Sequence, residues 1–118
     1  MRYILIALSA LMLLFAAVQY NDPDGPLWMV IYAIPAAFAC IAAFQPQWCR
    51  TGIVRAVLIA SIFASIAAVI YYWPTTPNFW LKDVWWNTET AREGMGVMIG
   101  LIVLLVVFAA STRPASRL

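Results

Sequence analysis

Apolar residues in this chain come in long blocks rather than in alternation. Residues 3–20, 27–44 and 53–73, and a fourth block over 94–111, hold no charged side chain except Arg55, near the start of the third. A helix rises about 1.5 Å per residue, so a hydrocarbon layer of about 30 Å takes roughly 17–25 residues. Each block therefore predicts one membrane-crossing helix, at approximately 3–20, 27–44, 53–73 and 90–111, within a single transmembrane domain over 1–118. Three of the blocks lie near the short limit, which predicts little tilt or a thin bilayer. Continuous apolarity, with no period of two, argues against a transmembrane β-barrel. The fold class expected is all-α: an integral membrane four-helix bundle with an interfacial Trp-rich loop between helices three and four.

Composition supports this pattern. Of the 118 residues 65% are apolar and only 10% charged, too little polar surface for a soluble domain of this size. The first block is read as a retained helix rather than a signal peptide. It is longer than a usual apolar signal core, and the residues after Ala16-Ala17-Val18 make an awkward cleavage site.

Charges divide between the two sides. Arg2, Arg50, Arg55, Arg113 and Arg117 lie at the termini and around the second loop, with no acid among them. Asp22, Asp24, Asp83, Glu89 and Glu93 lie in or beside the first and third loops, with Lys82 and Arg92. The excess of arginine predicts both termini and the second loop in the cytoplasm of a cell (inner) membrane, and the acidic loops outside. Tyr20, Trp28, Tyr71, Tyr72 and Trp73 are expected in the outer headgroup zone, with Tyr3 and Trp48 at the inner one. Cys40 and Cys49 are expected as free thiols, and Cys49, in the second loop, as a site that a membrane-impermeant reagent reaches only from the cytoplasm.

Local signals refine the helices. The first outer loop, Asn21 to Pro26, is short enough to make helices one and two antiparallel neighbours. Pro35 should bend the second helix and release the carbonyl of Ile31. Ala56, Ala60, Ala64 and Ala68 in the third helix, and Gly96 and Gly100 in the fourth, form small-residue stripes expected to be contact faces. In the third loop Phe79, Trp80, Leu81, Val84, Trp85 and Trp86 predict either a short interfacial helix or a lid over the helix ends.

Two polar clusters could carry chemistry: Gln19-Tyr20-Asn21-Asp22-Pro23-Asp24, and Glu89 through Gly94. Both fall at outer helix ends. At about 100° per residue, Glu89, Glu93, Gly96 and Gly100 share one face, so the acids should point into the bundle. Arg92 is the nearby guanidinium for Asp22, Asp24 or Glu89. Converging carboxylates, with Asn21 and Gln19 beside them, would suit a hard divalent cation, Ca²⁺ or Mg²⁺, held by Asp22, Asp24 and Glu93. The competing reading is structural: Thr90 with Glu93 as a capping box, Asp24 capping the second helix, and Asn21 or Asp22 closing a turn. The chain has no histidine, which excludes His-ligated haem or zinc and His general bases. No ionisable residue lies near a helix centre, which disfavours proton-coupled transport.

At these residues the chain resembles the transmembrane protein 220 family. The resemblance rests on Gln19 through Asp24, Trp28, Tyr32 and the spacing Glu89-x-x-Arg92-Glu93-x-x-Gly96. It covers nearly the whole chain and implies a multi-pass membrane protein without established activity. The function expected is a non-enzymatic interaction or ligand-binding module built on Gln19, Asn21, Asp22, Asp24, Glu89, Arg92 and Glu93. The partners expected are membrane lipids and a homo-oligomer or larger membrane complex, and not nucleic acid. The alternative is a cation-dependent membrane enzyme or ion-handling protein using the same carboxylates.

Overall fold

The computed structural model describes residues 2–20, 23–72, 81 and 89–112. The Trp-rich loop, apart from Leu81, lies outside the described residues. So do Asn21, Asp22, the side chains of Glu89 and Arg92, and the C-terminal arginines. Among the described residues four α-helices carry the fold: α1 (Arg2–Ala17), α2 (Gly25–Phe44), α3 (Gly52–Tyr72) and α4 (Glu89–Ser111). A 3-10 turn, Pro46–Cys49, joins α2 to α3, and no strand occurs among the described residues.

Three of the helices, α2, α3 and α4, are long and apolar enough to cross a membrane. α1 is shorter than its apolar block. It stops at Ala17, and the amides of Gln19 and Tyr20 reach back to the carbonyls of Ala16 and Ala17, an i→i−3 pattern that tightens the last turn and ends the helix.

The helices are not arranged as a symmetric square. α1 packs along α2, α2 along α4, and α3 along α4, while α1 barely touches α4. Met12, Ala39, Leu58, Leu104 and Val107 are among the fully buried side chains of the resulting core. In the α1–α2 seam the hydroxyl of Ser9 donates to the carbonyl of Ala36 at 2.8 Å, satisfying a hydroxyl that would otherwise sit unpaired in an apolar interior.

The alanine stripe of α3 departs from expectation. Ala56, Ala60 and Ala64 are exposed, and only Ala68 of the four packs against the core, beside Val54, Ile62 and Val69 and the wholly buried Leu58. Branched side chains supply most of this seam of α3. On its outer side Phe63 (67%) and Ile70 (70%) lie open, as suits a surface whose solvent is hydrocarbon.

The end holding the start of α1 and the close of α2 and α4 is fastened by arginines. Arg2 Nε donates to the carbonyl of Ala43 at 3.1 Å, and Arg50 Nε to that of Ser111 at 2.7 Å. These carbonyls belong to the last turns of α2 and α4, where no intrahelical donor remains and the dipole favours a cation. Arg55 reaches the Cys49 carbonyl at 3.4 Å and lies over the Phe108 ring, 4.7 Å from its centroid. Gly52, at φ +70°, supplies the left-handed residue that turns the 3-10 segment into α3.

Candidate functional site

The α1–α2 turn can be this short because its backbones touch. A Cβ on the buried Gly25 would overlap the carbonyl oxygen of Gln19 and lie 3.2 Å from its carbon. Only a glycine admits the end of α1 so close to the start of α2.

Asp24 stands at the N-cap of α2 but makes no side-chain cap. Its Oδ2 instead accepts a hydrogen bond from Trp28 Nε1 at 3.1 Å. That bond serves an indole which is 3% exposed: Trp28 packs into the bundle at the head of α2 with its N–H turned to Asp24. Tyr20 and Tyr71, by contrast, are exposed. Gln19, half-buried, donates through Nε2 to the carbonyl of Phe15 at 3.2 Å, completing the end of α1.

Beneath Trp28 sits Tyr32, 5% exposed. Its ring meets Trp28 at 5.9 Å between centroids and Phe15 edge-on at 5.5 Å, a packing aromatic pairs favour. The hydroxyl end points at α4, where a Cβ on Gly96 would overlap it and lie 2.9 Å from Cζ. Gly100, one turn further, faces the Pro35 ring. The glycine stripe of α4 is therefore a seat for α2. The tyrosine of α2 fills the notch at Gly96, and the proline lies in ordinary contact range at Gly100.

This contact sets the level of the polar residues. α2 and α4 start at the same end of the bundle. Asp24 and Trp28 precede Tyr32 by two turns and one, and Glu93 precedes Gly96 by nearly one. Glu93 is half-buried. The described part of α4 opens at Glu89; the side chain of Thr90, on which the capping box depends, lies outside the described residues. Among the described residues no group of three His, Cys, Asp or Glu side chains gathers as a metal site would require. Of the expected cation ligands, Asp22 lies outside the described residues. Sequence reasoning missed Tyr32 as the central support; its spacing of four from Trp28, two aromatics on one helical face, was the available signal.

Residues 11–109 match the family model described as transmembrane family 220, helix. The chain belongs to this family. Transmembrane protein 220 of Xenopus laevis is 30% identical to it over 118 residues, an overlap covering 86% of this chain and 63% of the relative. The chain thus spans less than two thirds of that relative's length. No solved structure matches. The residues that build the rim, Asp24 to Tyr32 and Glu93 to Gly100, all fall within the segment matched to transmembrane family 220.

At the opposite end, Cys49 corrects an expectation. It is fully buried, and burial pushes its thiol above the ordinary range, against a smaller lowering by Arg55. Less thiolate and no access make it a poor target for an aqueous reagent. The exposed cysteine is Cys40, in α2.

Proposed function

We propose that this member of transmembrane family 220 is a non-enzymatic module crossing the cell membrane four times, with both termini cytoplasmic. Its outer rim is the surface that binds a polar ligand or a partner protein within a larger membrane complex. One contact carries the reading: Gly96 seated on Tyr32. It holds the heads of α2 and α4 side by side, so that Asp24 and Glu93 belong to one rim, adjoined in sequence by Asn21, Asp22, Glu89 and Arg92. Engagement of Asp24 with the Trp28 indole favours this reading over a cation-dependent enzyme or ion-handling protein, which needs Asp22, Asp24 and Glu93 as ligands to Ca²⁺ or Mg²⁺.

The test is native mass spectrometry of the full chain purified in mild detergent, beside its melting curve with and without each cation. The double variant Asp24→Asn, Glu93→Gln should keep its helicity and lose a stoichiometric adduct that the wild type retains. Identical adducts in both would defeat the rim proposal. A rise in melting temperature with Ca²⁺ or Mg²⁺, abolished by Glu93→Gln, would establish the cation reading instead.

Orientation has its own test. The arginines that fasten the helix ends belong to the side that the positive-inside rule assigns to the cytoplasm. In a Cys40→Ser chain, Thr51→Cys introduces a thiol at an exposed position of the second loop. It should react with an impermeant maleimide only after the cytoplasmic face is opened, while the parent with Cys49 alone stays unlabelled. Labelling of Thr51→Cys in intact cells would reverse the topology.

A further inference from the structure

Between α2, α3 and α4, beneath the polar rim, lies a cavity of about 230 Å³. Small residues border it: Ser61, Ala64, Ser65 and Ala68 on α3, with Gly96 and Gly100 on α4. The rest of the lining is apolar, the indole N–H of Trp28 being turned to Asp24. An apolar cavity of ~150 Å³ stays dry and accepts benzene; this one is larger, and its lining is apolar apart from the two serines.

Its shape and position identify the occupant. Along α4 the lining runs from Gly96 to Leu104, a rise of about 12 Å, most of the ~15 Å depth of one leaflet. The slot begins at the heads of α2 and α4 and ends near mid-helix, at Pro35 and Ser61. α3 packs on α4 and on the 3-10 turn, so α2 and α3 stand as separate walls over an α4 floor. Lining residues on both walls are exposed, Leu27 at 59% and Ile34 at 38% on α2, with Ala64 opposite. The mouth therefore opens sideways, between two helices that cross the membrane, and what lies beyond it is hydrocarbon. An empty slot there would forfeit dispersion contacts along its length.

We propose that this slot holds one acyl chain of a membrane lipid, from the leaflet on the side of the α2 and α4 heads. The chain lies parallel to the helices and fills the space that α3 leaves beside α2.

The test uses the full chain in phosphatidylcholine vesicles carrying a mid-chain diazirine lipid, with labelled residues located by mass spectrometry. Label at Ile31, Ser61 and Ser65 should exceed label at Phe63 and Ile66, on the open side of α3, several-fold. Ser65→Leu should reduce cavity labelling to the level of that open side, and Ala68→Leu, an independent filler, should do the same should the first variant misfold. Glu93→Gln should leave the labelling unchanged, which separates this proposal from the rim reading. Equal labelling around α3, or labelling indifferent to both fillers, would overturn it. So would crosslinks joining two copies through the lining residues, because a second protomer would then occupy the slot.

Discussion

Gly25→Ala should destabilise the bundle by about 3 kcal/mol, near the top of the range for overpacking a close contact. The new methyl meets no side chain that could turn aside. It meets the Gln19 carbonyl oxygen, with the Gln19 carbon at 3.2 Å and the Tyr20 carbon at 3.8 Å, so the end of α1 must shift away from α2. That shift strains the Asp24–Trp28 hydrogen bond next in the chain, which sets the Trp28 ring against Tyr32. Two comparisons isolate the cause. Gly52→Ala meets nothing within 4 Å and loses only the left-handed backbone freedom at φ +70°, so it should cost about 1 kcal/mol. Asp24→Asn keeps an oxygen acceptor for the indole and should cost no more than about 1 kcal/mol. Unfolding in mixed micelles measures all three, and a Gly25→Ala loss no larger than that of Gly52→Ala would show that the turn has room to spare.

What the sequence made legible follows from which interactions are local. Four helices and their membrane character were readable because uncharged length alone decides them. The burial of Trp28 is not legible in the same way, because an aromatic at a helix head can face lipid or the bundle; Asp24, four residues back on the same face, is the local signal for the bundle. The alanine stripe of α3 and the glycine pair of α4 look alike along the chain, yet one lies largely exposed and the other seats a neighbour. The difference resides in the partner. α2 brings Tyr32 and Pro35 to the glycines, whereas α3 buries Leu58 and, of its four alanines, packs only Ala68 against the core. Partner choice is non-local, and no periodicity within one helix contains it. For the same reason the slot between α2 and α3 was invisible: it exists because α3 pairs with α4 rather than closing on α2.

Gly96 and Gly100 of α4 should respond in opposite directions to the same substitution. Gly100→Ala puts a methyl 3.8 Å from the Pro35 ring, ordinary contact, and replaces the poorer helix former; it should be neutral or stabilising by up to about 1 kcal/mol. Gly96→Ala drives its methyl into the Tyr32 hydroxyl. That side chain cannot swing clear, because Phe15 and Trp28 hold its ring on either side, and the substitution should cost about 2 kcal/mol. Tyr32→Phe removes the atom of worst overlap but leaves Cζ and Cε1 at 2.9 and 3.1 Å from the added methyl, so it should recover part of the loss. The double-mutant cycle should therefore give a coupling of about 0.5–1.5 kcal/mol, within the range for residues in direct contact. Additivity would mean that Gly96 and Tyr32 do not meet, and the shared rim of α2 and α4 would lose its support. A measured coupling, with Gly100→Ala benign beside it, would establish that α4 is positioned by one tyrosine in one notch rather than by a generic small-residue stripe.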